Sequence, residues 1–417
     1  VRRHSLLAAF LLLSLPAQAQ DAPLIPASVN LTGSLRSGYW SSNRSLDNTR
    51  NYTPSSVWLK AAPDFGDGWY ARGEGWVLDE RPLDGGGRVR GDVREGYVGW
   101  RDDKVEVTFG RRIIAWGRAD RINPTDVVST RDYTRLFAED DDQRRGNVVA
   151  TASYAFGDMT ATALWLPEFR PNIYPIAQVN GVSVNQGTDR LSANQFAVRL
   201  DRTGGSYDWA LSYMRGVNRN PGAMLASQSP AGLTVDATYN RTQTFGADFA
   251  TNIGGYGLRG EIAYSQPGSS NGDIFNPRPF AEAVLGIDHN VMSGLNINLQ
   301  YVLLHNFSYA EPVLAANSAL SFIAMKTALL NNQLLRTQHG PAIRLAYTTL
   351  NDTLVLEGTA LIFVSDDSFS IRPHATYAIT DKLKLLGGVD IFTGGKNTYF
   401  GQLRRNTAFL SEIRYLF

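Results

Sequence analysis

The sequence predicts an all-β chain: a transmembrane antiparallel β-barrel of about eighteen strands with one helical outer loop. Three observations predict it. Apolar residues recur at every second position through segment after segment, the links between those segments alternate between short and long, and the chain ends in an alternating segment closed by an aromatic residue. A strand that crosses lipid must be apolar on one side, whereas its alternate positions face a wet lumen and can carry charge.

The N-terminus comes first. A basic start (Arg2, Arg3, His4), an apolar stretch from Leu6 to Leu15 and the small-residue close Pro16-Ala17-Gln18-Ala19 predict a signal peptide over residues 1–19. Residues 20–417 then read as one barrel domain, since no linker, low-complexity block or change of composition divides them. No other run approaches the ~20 apolar residues that a membrane-crossing helix needs. A net charge of +1 implies no field for nucleic acid. The absence of cysteine excludes disulfides, thiolate metal sites and a cysteine nucleophile.

The strands follow. From Leu295 to Leu303 the odd positions Leu295, Ile297, Leu299, Tyr301 and Leu303 are apolar, while Asn296, Asn298 and Gln300 oppose them. Leu354, Leu356, Gly358, Ala360 and Ile362 similarly oppose Glu357 and Thr359. Candidate strands run in this manner from 29–40 to 408–417, separated by tight turns such as Asp102-Asp103, Gly157-Asp158 and Asn351-Asp352 and by long connections at 41–54, 80–91, 113–146, 168–193, 217–238 and 307–339. The count is even, as a single-chain barrel requires. Asp366-Asp367 forms a short turn where a long connection is expected, and an element split wrongly there would reduce the count to sixteen. Tyr39, Trp40, Trp69, Tyr70, Trp100, Tyr154, Phe156 and Trp165 fall where strands should cross the headgroup levels. Leu320, Ile323, Leu330 and Leu334 recur at helical spacing and predict a helix near 314–336, acting as a lid, as a patch against lipid or a neighbouring subunit, or simply packing on its own barrel.

Residues 111–145 hold eight arginines and seven acids. Such a set is costly in lipid but tolerated in a wet lumen, so this connection is expected to fold inward and narrow the pore, with Arg111, Arg112, Arg118, Asp120, Arg121, Asp126, Arg144 and Arg145 at the constriction. A solvated surface loop laced with salt bridges is the competing reading. On the strands, alternation places Arg72, Glu74, Arg259, Glu261, Arg344, Glu357 and Arg372 in the lumen, together with Glu106, Arg199, Asp248, Lys384, Asp390, Glu412 and Arg414. A charge facing lipid at mid-bilayer would cost about 2–4 kcal/mol. His374 has no serine partner in a recognisable motif, and no cluster has metal-ligand spacing, so neither an enzyme nor a metal or cofactor is expected.

Two stretches carry a resemblance. The last strand, alternating through Phe409, Ser411, Ile413, Tyr415 and Phe417, resembles the C-terminal signature of bacterial outer-membrane barrels. That likeness implies the barrel-assembly machinery as a partner. Gly110-Arg111-Arg112, then Trp116-Gly117 and Asn123-Pro124-Thr125-Asp126, with Trp165-Leu166-Pro167-Glu168-Phe169 beyond, resembles a proteobacterial outer-membrane β-barrel family and, more distantly, the alginate-export barrels. The match covers roughly residues 104–170 and departs from the family at Arg112, where Gln is usual. Residues and resemblance together lead to a porin-like channel of the Gram-negative outer membrane, passing small polar or amphipathic solutes passively or by facilitated transfer. Its other partners would be outer-membrane lipid and lipopolysaccharide. Export of an anionic polysaccharide and uptake of hydrophobic compounds stand as alternatives.

Overall fold

The computed structural model describes residues 29–42, 50–83, 86–135, 137–175, 181–185, 190–230, 232–268, 273–313 and 318–417; the signal peptide expected over 1–19 lies outside them. Eighteen antiparallel strands form one closed barrel. They are β1 (Thr32–Ser42), β2 (Ser55–Ala61), β3 (Trp69–Glu80), β4 (Arg88–Arg101), β5 (Val105–Arg112) and β6 (Asn147–Phe156). Next come β7 (Met159–Phe169), β8 (Arg190–Arg202), β9 (Tyr207–Val217), β10 (Arg241–Ile253), β11 (Tyr256–Pro267) and β12 (Phe280–Met292). The last six are β13 (Leu295–Asn306), β14 (Thr337–Thr349), β15 (Leu354–Phe363), β16 (Ser368–Ala378), β17 (Leu383–Thr393) and β18 (Ala408–Leu416). Each strand pairs with its sequence neighbour, and β18 closes on β1 from Ser34↔Leu416 to Ser42↔Ala408. Closure removes both sheet edges. The chain's last residue seals the seam: a Cβ at Gly33 would lie 2.6 Å from the Phe417 ring, so the missing side chain makes room for the aromatic.

Short turns gather at one end of the barrel and long connections at the other. The exception expected at Asp366-Asp367 is real. Residues 364–367 make a tight turn with Asp367 in the left-handed region at φ 52, so β15 and β16 are separate strands and the count is eighteen.

The two-residue period is visible in the burial of β13. Leu299, Tyr301 and Leu303 are exposed on the outer face, while Asn298, Gln300, Val302 and Leu304 are buried inside. In β18, Phe409, Ile413 and Tyr415 face out, and Glu412 and Arg414 face in. Among the aromatics expected at the headgroup levels, Trp69, Tyr154, Phe156 and Trp165 are exposed, whereas Trp40 and Tyr70 are buried. Neighbours along a strand point to opposite faces, so Tyr39-Trp40 and Trp69-Tyr70 cannot each send both rings outward.

At the long-connection end, strands Gly222–Ser229 and Gly232–Thr238 form a hairpin, on which Val182–Asn185 adds a third strand. The expected helix is shorter than 314–336. It spans α1 (Ser318–Leu330), and residues 314–317 lie outside those described. Residues 319–330 of α1 are all buried or half-buried. Ile323 packs with Ala223, Leu233 and Val235 of the hairpin, and Ala328 and Leu329 pack with Leu334, Tyr399 and Leu403. A helix that packs apolar side chains on two sides needs only a narrow polar face, and Lys326 bonds Gln402 at 2.7 Å from it. Its partners are the barrel's own connections.

Candidate functional site

The connection after β5, residues 113–146, runs into the barrel. Trp116 is buried among Val149, Leu164, Leu166, Ala197 and Met214 on the inner wall. Gly117 then adopts φ +104, and a Cβ there would come within 2.6 Å of Glu261 Oε1. Glycine is required twice over, by the turn and by the approach of the carboxylate. Glu261, on β11, accepts the backbone N–H groups of Arg118 and Ala119 at 2.5 and 2.6 Å, and the N–H and hydroxyl of Thr125 at 3.2 and 2.9 Å. Arg118 reaches on to Asp248 of β10 at 2.7 Å and Asp201 of β8 at 2.6 Å, acids that Arg199 also holds. The Trp-Gly-Arg and Asn-Pro-Thr-Asp motifs are thus the two hands with which the connection grips one carboxylate.

The acidic run of the same connection reaches a different arc of the wall. Asp140 accepts from Arg372 of β16 at 2.8 Å and from Arg121 at 3.1 Å. Arg121 also bonds Glu357 of β15, which Arg344 of β14 holds at 2.8 Å, and Arg344 touches Asp120 at 3.4 Å. Glu139 meets Arg414 of β18 at 2.7 Å, Asp142 meets Arg36 of β1 at 2.5 Å, and the Asp141 carbonyl accepts from Arg94 of β4 at 2.6 Å. Strands β8–β11 and the arc from β14 through β18 to β4 lie on opposite sides of an eighteen-strand ring. One connection therefore spans the bore, with Arg118 on an acidic wall and its acids on arginines.

Apolar contacts support both attachments. Phe137 sits edge-on to Trp58 and Trp76, with ring centroids at 5.2 and 5.4 Å, and Ala138 packs with Trp40, Leu386 and Leu410. This explains why Trp40 turns inward. The ion pairs differ in their access to water: the Asp248 side chain is fully buried, whereas Arg121 and Asp140 are 39% and 35% exposed. Water therefore reaches the crossing at Arg121 and Asp140, beside β15 and β16, and at Glu139, which is 52% exposed beside β18. There burial would raise the Asp140 carboxyl, but Arg372 and Arg121 outweigh it and hold the group below the usual range. For Asp142 burial outweighs Arg36, and the carboxyl is pushed up.

The other residues expected at the constriction stand nearer the wall. Arg111 bonds Glu168 at 2.8 Å, Arg112 bonds Thr108 at 3.1 Å and lies over the Tyr97 ring, and Arg145 lies 3.8 Å from Asp92. Asp126 and Arg144 pair with each other at 2.5 Å inside the connection. Of the lumen set, Glu74 holds Arg94, Arg259 pairs with Asp288 at 3.4 Å, and Arg72 lies over the Tyr70 ring. Arg36 and Arg94 join the inner wall without being marked by the alternation in the sequence. Arg94 is the extra residue of a bulge between the pairs Glu74↔Glu95 and Gly75↔Val93, where the two-residue alternation breaks.

A family model described as Gram-negative porin matches residues 5–309. No curated protein gives a significant match. Among solved structures, the chain is similar to OccK5 (OpdH) of Pseudomonas aeruginosa, at 9% identity and a TM-score of 0.54 over 93% of this chain and 96% of that one. It is also similar to OccD3 (OpdP) of Pseudomonas aeruginosa, at 11% identity and a TM-score of 0.52 over 93% of this chain and 91% of that one. OccK11 (OpdR) of the same organism gives 10% identity and a TM-score of 0.50 over 93% and 94%. At these identities the likeness concerns the fold.

Proposed function

The chain belongs to the Gram-negative porin family, and from that premise we propose an outer-membrane channel that passes small polar or amphipathic solutes through a bore narrowed by residues 113–146. The observation that carries this reading is the connection bonded to both sides of the bore. Opposed charges beside a water-filled gap orient a dipolar solute, and they lie in surroundings where screening is weak. A bolted crossing suits small molecules better than a polymer, which weighs against polysaccharide export. Enclosure of α1 by its own connections weighs against a hydrophobic entry port there. The pair formed by His374 and Asp390 shares its carboxylate with Arg372, an arrangement suited to a wall and not to a nucleophile's base.

Replacing residues 119–143 by a short Gly-Ser linker should raise single-channel conductance several-fold in planar bilayers and admit larger solutes in liposome swelling. Unchanged conductance would remove the connection from the solute path.

The long-connection end should face the cell exterior. Cysteine introduced at Gln228, at the exposed hairpin, should react with an impermeant maleimide on whole cells, and cysteine at Asp158 should not. The reverse pattern would invert the orientation. As the partner that reads Phe417 we assign the barrel-assembly machinery, since this ring both ends the last strand and fills the space at Gly33. Deleting Phe417 should lower the amount of heat-modifiable barrel in outer membranes; an undiminished amount would count against that role.

A further inference from the structure

At the long-connection end three segments are knitted together. Arg131 N–H donates to the Asn172 side chain at 2.8 Å, Ile173 N–H to the Arg131 carbonyl at 3.0 Å, Tyr133 N–H to the Ile173 carbonyl at 2.8 Å, and Asn172 N–H to the Arg219 carbonyl at 3.0 Å. The Tyr174 hydroxyl completes the knit by donating to Asn220 at 2.7 Å. Tyr133 consequently stacks on Tyr174, with centroids at 5.0 Å and 13° between the planes, yet Tyr133 is still 40% exposed. Its hydroxyl has no protein partner among the described residues. Tyr399, from the connection before β18, lies within electrostatic range of both rings.

Beside this stack stands Arg219. Its guanidinium donates to the Asp126 carbonyl at 3.3 Å, and among the described residues no carboxylate lies within ion-pair distance of it. The Asp126 carboxylate is already taken by Arg144 at 2.5 Å. Burial lowers the Arg219 pKa to about 10, so it remains a cation at neutral pH. The arginines that grip the inward connection are all paired, whereas Arg219, a half-buried cation beside the exposed Tyr133 ring, presents both a charge and a ring to a flat anion. A guanidinium binds a carboxylate with two parallel hydrogen bonds, and an aromatic ring stacks on a neighbouring ring.

We infer that Tyr133, Tyr174 and Arg219 form an entry subsite for aromatic carboxylates, the carboxylate on Arg219 and the ring on the free face of Tyr133. This inference rests on the channel reading above and names its solute class.

The test uses the full chain, in detergent for calorimetric titration and in planar bilayers for current block, with benzoate, cyclohexanecarboxylate and acetate as probes. Benzoate should bind about tenfold more tightly than acetate, and Arg219→Gln should weaken benzoate by about tenfold while the barrel stays folded and heat-modifiable. Tyr133→Leu should abolish the preference for benzoate over cyclohexanecarboxylate. Equal affinities for benzoate and acetate, or an Arg219→Gln variant that binds benzoate as the parent does, would overturn the subsite and leave the channel intact. Selective benzoate binding by a chain that carries no current would instead overturn the channel reading and leave the subsite.

Discussion

Replacing Arg118 and Arg121 together by Gln should turn the channel towards cations. Arg118 bridges Asp201 and Asp248 on one side of the bore, and Arg121 bridges Asp140 and Glu357 on the other. Losing two positive charges leaves those four acids with fewer partners. Arg199 still holds Asp248, and Arg372 still holds Asp140, so neither wall is stripped and the barrel should assemble. The reversal potential in a potassium chloride gradient should move towards the potassium value, more at low ionic strength than near physiological salt, where screening sets in at roughly 8 Å. Arg112→Gln is the internal control, because that guanidinium bonds Thr108 and covers the Tyr97 ring away from the crossing acids. A double variant with the parent's reversal potential at low salt would place these arginines outside the ion path.

Much of this architecture is legible in the sequence. The strands announce themselves because lipid on one side and water on the other impose a period of two, and an inward charge such as Glu357 or Arg414 stands out against Leu356 or Ile413. The density of charge in residues 111–145 likewise pointed inward. What could not be read was which charge meets which. Arg118 and Asp248 are 130 residues apart, and Arg121 and Glu357 are 236 apart. Only closure of the ring sets their distance, and closure leaves no local pattern. Arg94 was hidden by a bulge that shifts the alternation by one residue, and Trp40 by its neighbour Tyr39, since a pair of adjacent aromatics does not say which ring faces lipid. Arg219 and Tyr133 lie in connections with no periodicity at all. Their significance comes from the long-range contacts that bring them together, the stack of Tyr133 on Tyr174 and the bond from Asn172 to the Arg219 carbonyl.

Glu261→Ala should have the largest effect of any single substitution, because one carboxylate receives four donors from the crossing connection. Hydrogen bonds to a charged group contribute about 1.5–3 kcal/mol each, and the amides of Arg118, Ala119 and Thr125 would be left without their acceptor beside a buried wall. The segment from Gly117 to Asp126 should leave β11. Single-channel conductance should rise several-fold and become noisy, and trypsin added at the long-connection end should cut after Arg118 or Arg121. Glu261→Gln should fall between parent and Ala. Its oxygen can keep the Arg118 and Ala119 amides, and its NH2 group can donate to the Thr125 hydroxyl, but it faces the Thr125 N–H donor to donor. Gly117→Ala should resemble Glu261→Ala from the other side of the contact, since the added methyl group would sit 2.6 Å from Glu261 Oε1 at a φ of +104. A Glu261→Ala channel with the parent's conductance and trypsin resistance would mean that the ion pairs at Asp140, Glu139 and Asp142 hold the connection without this anchor.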